Sequence, residues 1–569
     1  MLLDFGMQLY VPWQLASGKV LHRDLMYLTG GPLSQYLHAA VFGAFGVSFT
    51  ALVVFNLCLV LLLVVLLYRL FLSVADRWTA TLICLVTLCV FSFSQYVGIS
   101  NYTYVCPYSY ETFHGLVLSV GSLGCLYRWI KSRRSLWALA AGTCAGAVFL
   151  TKPDLYLALL TALVAAILIY WMIPGSRFRA RVTATALVLA GHAAPLAAFL
   201  VYYTCVWNFR GGLRAVAAAW VPLLTTSVPQ NAFYKWCLGL DRPSHNLVLS
   251  LEYFAGFCLI TAFLALCSRY FIGRRITRTS LLAVLLVVLI YLAVDLFPWI
   301  QCGRPLAPLM LLGCAFIAGK WWILKHSAAG EALVLPLLWS MFALVLLTKM
   351  GLNTRIWHYG FYLAMPAVVF AVYGLVWMVP REARKFGVNT VVFRLLITVF
   401  LAIGTFDLLM FSNRFYQMKN LDVGEGADRI VTYDARLASA CEGIRQTVSW
   451  LRKNTTRTRT VAALPEATII NYLARRANPT PFPVLPPTEF QAHGEPKILA
   501  AYQRTPPDFL VLVHRDNTEF GVRNFGQEPG FGLGMMQWIR ANYSPVWQYG
   551  SEPLRTREFG ISVLARKGR

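Results

Sequence analysis

The feature that most constrains this chain is a series of apolar runs too long for the core of a soluble protein. Residues 51–73, ALVVFNLCLVLLLVVLLYRLFLS, carry one charge, Arg69. A helix of about 20 such residues crosses the hydrocarbon core of a bilayer. Inside that core every backbone polar group has to be bonded within the protein, which leaves helices and closed barrels. Barrel strands alternate polar and apolar side chains, and these runs do not. The expected fold class is therefore an α-helical polytopic membrane protein. Composition agrees, at 58% hydrophobic and 13% charged, against about a quarter charged in soluble domains.

Twelve candidate spans emerge: 51–73, 79–98, 112–130, 136–151, 155–173, 183–206, 251–272, 280–300, 305–325, 331–349, 358–379 and 391–413. The loops between them alternate in charge. One set is basic, with Arg128, Lys131, Arg133 and Arg134 in one loop and Arg381, Arg384, Lys385 and Arg394 around another. The other set holds fewer, with none in 99–111, Lys152 alone in one loop, Arg304 alone in another, Lys349 and Arg355 in a third and four cations in the longer 207–250 loop. Cytoplasmic loops carry the excess of Lys and Arg, so the basic set is expected inside and both chain ends outside. This also accounts for the formal charge of +25 without a nucleic-acid partner. For an outside N-terminus with no signal peptide, the expectation is a further helix before residue 1, the alternative being a short N-terminal tail translocated by the first span. The thirteen cysteines form no CxxC pair and are expected as small buried hydrophobes.

Three segments follow: a first extracytoplasmic loop with juxtamembrane helices (1–50), a transmembrane domain (51–413) and an extracytoplasmic α/β domain (414–569). In the last, the patterns predict helices near 435–453, 466–475, 495–503 and 532–542. Strands are expected near 459–464, 508–514, 545–549 and 560–565.

Ionisable residues at a membrane rim are costly and mark function by default. Here they gather in the cation-poor loops: Asp4 and Asp24 in the first segment, Tyr108, Glu111 and His114 in the second loop, then Lys152 with Asp154. Asp295, Arg304, Lys349, Arg355, His358 and Tyr359 complete the set. The tract HRDL at 22–25 spells the start of a kinase catalytic loop, but Thr29 stands where that loop needs Asn, and no DFG follows.

The acid near the start, followed by LYVPWQLASGKVLHRDL and GGPLSQYLHAAVFGAFGVS, resembles the polytopic glycosyltransferases of the GT-C superfamily. Gln14 to Gly18, Arg23-Asp24, Gly31-Pro32 and Phe45-Gly46 fit the tract that follows the first span in that family. PYS at 107–109, the Lys-Pro-Asp turn at 152–154, HYGF at 358–361 and LPEATIINYLARRANPTP resemble its uncharacterised bacterial members, and the whole is dolichyl-phosphate-mannose-protein mannosyltransferase-like. The family often has two adjacent acids where Asp4 is followed by Phe5.

The resemblance implies an integral protein of the bacterial inner membrane. It would transfer a sugar from a polyprenyl-phosphate donor to a glycan, lipid or protein acceptor, with membrane lipid around it. Asp4 would be the base and Asp24 would orient acceptor or sugar. Lys152, Arg304, Lys349 and Arg355 would meet the donor phosphate, and Tyr108, Glu111, His114, His358 and Tyr359 would line the sugar and acceptor sites. No cofactor is required; a divalent metal is compatible, though no ligand cluster demands one. The competing readings are a lipid-linked sugar flippase, which would want polar groups at mid-bilayer, and a non-catalytic protein on the same scaffold.

Overall fold

The computed structural model describes residues 2–98, 102–174, 177–221, 223, 232–269, 284–285, 287–289, 291 and 297–568. Helices coincide with the expected spans except 280–300, most of which lies outside the described residues, as does Asp295. Among the described residues eight helices are long and apolar enough to cross a membrane, from Phe49–Leu72 to Thr390–Gln417. Two shorter apolar helices, Arg77–Ser92 and Ser135–Phe149, join them. The chain is an integral multi-pass membrane protein.

The helices start where side chains cap them. Ser48 accepts a hydrogen bond from the Ala51 N–H, Asp76 from Thr79 and Asn389 from Val391 and Val392, which satisfies N–H groups that a helix leaves orphaned at its start. Leu52, Leu63 and Leu67 of the first span are buried, whereas Val54, Leu61 and Leu62 are exposed. A span apolar on all sides with one packed face has its other face toward lipid.

Two features of the N-terminal segment place the site. The helix Leu2–Ala16 does not join the bundle as a span; it lies against the C-terminal sheet domain. Phe5 and Leu9 share one core with Ile469, Tyr472 and Leu473. The approach is so close that a Cβ on Gly6 would sit 2.2 Å from the Ile469 nitrogen. A buried network then ties this helix to the bundle. Gln8 donates to the Tyr27 hydroxyl at 2.8 Å, Tyr27 donates to Glu111 at 2.5 Å, and Gln35 and Ser109 each donate to Glu111 at 2.7 Å.

The C-terminal domain is a four-stranded sheet in the order β3-β4-β6-β5, with β3 Val461–Leu464, β4 Phe509–Val513, β5 Tyr543–Gly550 and β6 Gly560–Arg566. β3 and β4 run parallel, and β6 is antiparallel to both β4 and β5. Helices at Ser439–Asn454, Thr468–Ala474, Glu495–Arg504 and Leu533–Asn542 match the sequence pattern. An added hairpin, β1 Lys419–Val423 with β2 Ile430–Tyr433, leads out of the last span.

Candidate active site

The parallel strands β3 and β4 end side by side, and each is followed by a charged residue. Glu466 follows β3 and Arg515 follows β4, and their side chains pair at 3.4 Å. Arg515 also binds Glu519 at 2.9 Å. Because the Leu2–Ala16 helix packs against the Thr468–Ala474 helix that follows β3, Asp4 in its first turn acts electrostatically on both Glu466 and Arg515. The Glu466 side chain is only 12% exposed. Burial, offset by Arg515 and reinforced by Asp4, pushes its carboxyl up to about 7. A carboxyl that holds its proton near neutrality can donate it to a neighbouring carboxylate.

Across from this charge cluster stands an aromatic wall. Tyr102 packs against His358 at a ring distance of 4.7 Å, Tyr108 at 5.6 Å and Tyr359 at 5.9 Å. Phe233 meets His358 at 5.8 Å and reaches Phe520 of the sheet domain at 6.0 Å. Tyr102 is within electrostatic reach of both Asp4 and Arg355. Burial first, then Asp4, raises its hydroxyl pKa, so the group is a proton donor rather than a phenolate.

Behind the wall is Arg355, a 1% exposed guanidinium stacked on Trp236 at 4.6 Å and Trp357 at 5.2 Å. It donates to the carbonyls of Asn353 at 2.9 Å and Cys237 at 3.3 Å, and to His358 Nδ1 at 3.3 Å; among the described residues its buried Nε has no hydrogen-bond partner. His358 has a left-handed backbone (φ 54°), and its imidazole is pushed down to about 3 by burial and then by Arg355. It is therefore a neutral acceptor. Strained backbone of this kind is held only where surrounding structure enforces it. Gly303 permits the loop carrying Arg304 to lie on Arg355: a Cβ there would be 2.5 Å from the Arg355 Cα. Arg304 binds Gln301 at 3.2 Å and Asn246 at 3.3 Å. An apolar cavity of about 90 Å³ begins at Cys302, Pro305 and Ile356, the sequence neighbours of these two arginines, and runs into the bundle toward Phe400 and Leu408.

The other expected cations are engaged. Lys349 pairs with Asp154, which also accepts from the Tyr362 hydroxyl at 2.7 Å. Lys152 donates to the Thr29 carbonyl, and its ammonium is pushed down to about 8, by burial and then by Lys349. Among the described residues no group of three His, Cys, Asp or Glu side chains is arranged to hold a metal ion.

No family model matches the chain, and no curated protein does. Solved structures do. The Archaeoglobus fulgidus oligosaccharyltransferase, crystallised with Zn and sulfate, superposes with a TM-score of 0.50 at 12% identity, over 98% of this chain and 68% of that one. The same enzyme tethered to an acceptor peptide with the NVT sequon gives 0.49 at 13% identity, over 98% and 69%. ArnT from Cupriavidus metallidurans bound to undecaprenyl phosphate gives 0.49 at 12% identity, over 99% and 93%. The chain has the GT-C fold.

Within this GT-C fold the expected site residues fall into two groups. In the first, Tyr108, His358 and Tyr359 surround Tyr102, Arg355 donates to His358, Lys349 lies 5.9 Å from the Tyr359 ring, Asp4 acts on Tyr102 electrostatically, and Arg304 and Lys152 stand in the loops beside them, on Asn246 and Thr29. Asp24 does not join them. It lies beyond the far end of the Leu2–Ala16 helix, about 18 Å of helix away from Asp4. There it accepts from the Val20 N–H at 2.8 Å and binds Arg23 at 2.7 Å. Arg23 in turn holds the Val206 carbonyl at 2.6 Å. Glu111, fully buried, has its carboxylate occupied by the Tyr27, Gln35 and Ser109 donors described above. His114 packs on His38 at a ring distance of 4.9 Å and contacts Asn56 at 3.3 Å. Sequence reasoning did not single out Glu466, Arg515, Glu519, Tyr102 or Trp236. One signal was present: ligands gather at the carboxyl ends of parallel strands, and Glu466 and Arg515 follow the two strands that run parallel.

Proposed function

We propose that this chain is a membrane glycosyltransferase that moves a sugar from a polyprenyl-phosphate donor to an acceptor hydroxyl, with Asp4 as general base. The observation that carries this reading is the packing of Tyr102 against Tyr108, His358 and Tyr359, with the buried Arg355 donating to His358 and Asp4 acting electrostatically on Tyr102. The acceptor oxygen attacks the anomeric carbon while Asp4 takes its proton. The bond from that carbon to the phosphate oxygen breaks, and polyprenyl phosphate leaves with the electron pair. A base within hydrogen-bond reach contributes roughly 10²–10⁴-fold, and fixed positive charge at the leaving group stabilises the charge that develops there.

Arg304 and Arg355 meet the phosphate, with the apolar cavity beneath them taking the first part of the lipid. Tyr102, Tyr108, His358 and Tyr359 line the sugar. Glu466, holding its proton, orients Asp4, and Arg515 fixes Glu466. Lys349 and Lys152 support the rim through Asp154 and Thr29. Asp24, Glu111 and His114 act at a distance, by setting the N-terminal helix and the second loop. The charge alternation of the loops supports an extracytoplasmic site and sheet domain. The candidate catalytic groups lie at a rim rather than at mid-bilayer, which favours a transferase over a flippase.

The test is to supply purified full-length protein with a panel of polyprenyl-phosphate sugars and measure loss of the donor and release of free polyprenyl phosphate. Donor-dependent release from one or a few sugars supports the reading. Donor binding without release, across the panel and with cell-envelope acceptors added, counts against it.

A further inference from the structure

At the opposite ends of the same helices lies a second polar feature. The span that begins at Phe49 contacts the second loop through Asn56, which donates to the Val105 carbonyl at 3.0 Å, and then leads away to Asp76 and Trp78. The span Gly360–Phe386 starts next to Arg355 and ends past Arg381. Between these far ends is a cavity of about 370 Å³ lined by Arg381, Arg384 and Arg394 with Trp78 and Trp377.

Charge in and around this cavity is unbalanced. Arg394 pairs with Asp76 at 2.7 Å, yet among the described residues its buried Nε has no hydrogen-bond partner. Its guanidinium lies 4.7 Å from the Trp78 ring, and that of Arg381 lies 4.7 Å from the Trp377 ring. The neighbouring acid Glu382 is taken by Lys320 and Lys385. Arg381 and Arg384 are exposed, and among the described residues no carboxylate pairs with either of them. Loop cations that only set orientation have no need of a cavity. Here three guanidiniums share one, two of them, Arg381 and Arg394, held against indole rings, with exposed Val391 in its lining and exposed Phe386 two residues on from Arg384. Guanidinium forks match phosphate oxygens, tryptophan favours the membrane interface, and the exposed apolar side chains offer contact to acyl chains.

We propose that this cavity binds the phosphate of an anionic lipid headgroup, on the membrane face opposite the candidate active site. The phosphate would lie among Arg381, Arg384 and the free edge of Arg394, with its acyl chains along Phe386 and Val391. The site is independent of the transferase reading and is tested without measuring transfer.

The experiment uses full-length protein in nanodiscs or detergent, as wild type and as the Arg381→Gln/Arg384→Gln double variant, which leaves the Arg394–Asp76 pair in place. Native mass spectrometry then counts retained phosphatidylglycerol after exchange from mixed phosphatidylglycerol and phosphatidylcholine. Removing two interfacial cations is expected to weaken retention about 30-fold, with phosphatidylcholine retention unchanged. A second arm adds inorganic phosphate or glycerol 3-phosphate to lipid-stripped protein. If these bind and displace the lipid, the same cavity takes free phosphate as well. If they fail while phosphatidylglycerol binds, the membrane is the source. Equal phosphatidylglycerol retention by wild type and a folded double variant overturns the proposal. Should that variant not fold, the Arg384→Gln single variant is read in the same way.

Discussion

The side chain of Glu466, just past the end of β3, pairs at 3.4 Å with Arg515, just past the end of β4, and Asp4 in the first turn of the N-terminal helix acts electrostatically on both. Two ends of the chain thus supply one pair of acids. Neither segment holds the pair alone: the N-terminal helix provides Asp4, and the sheet domain provides Glu466 together with Arg515.

The sign of the Glu466 effect is fixed by its raised pKa. Its carboxyl titrates near 7 in the folded protein against an ordinary 4.5, so the folded state binds the extra proton between those values. Its contribution to stability is present below about 4.5 and is lost as pH rises through about 7. Thermal unfolding of Glu466→Gln across this window should show a flatter pH dependence than wild type. An unchanged slope would remove Glu466 as a proton holder.

Gly6 sets the spacing of the same pair. Its would-be Cβ meets backbone of the Thr468–Ala474 helix, which cannot swing aside as a side chain would. Gly6→Val is expected to cost about 1–3 kcal/mol and to reduce transfer by more than the loss of folded protein explains. Normal activity at normal stability would show that the N-terminal helix need not touch the sheet domain.

Arg355 offers a planar fork between two indole rings, and lysine keeps the charge without the fork. Arg355→Lys should raise the donor KM roughly 10-fold or more with a smaller effect on kcat. Donor titration at fixed acceptor separates the two. An unaltered donor KM would place the phosphate elsewhere.

Glu111 is expected to be a support rather than a reacting acid. Glu111→Gln weakens the charge-assisted bonds from Tyr27, Gln35 and Ser109 and should lower stability by about 2 kcal/mol. Transfer per folded molecule should stay close to wild type, measured after removal of aggregates by size exclusion.

The spans were legible because twenty apolar residues in a row have few alternatives in water. The sheet-domain elements were legible because short apolar strands such as 509–513 alternate with helix-period segments. The β1–β2 hairpin was not, since β1 (KNLDV) is polar and buries only Val423. At the site, Asp4 and Arg355 were legible as members of the ionisable set that gathers in the cation-poor loops. Glu466 was not, because an acid in a charged domain is ordinary until the fold brings it against the N-terminal helix. Asp24 looked equivalent to Asp4 in sequence, but in space it caps a turn on Val20 and braces Arg23.

The most direct measurement is donor binding and sugar transfer in one Asp4→Asn preparation. The account predicts a folded, membrane-inserted protein that binds the polyprenyl-phosphate sugar as wild type does and transfers it at least about 100-fold more slowly. Near-normal turnover by that variant would contradict it.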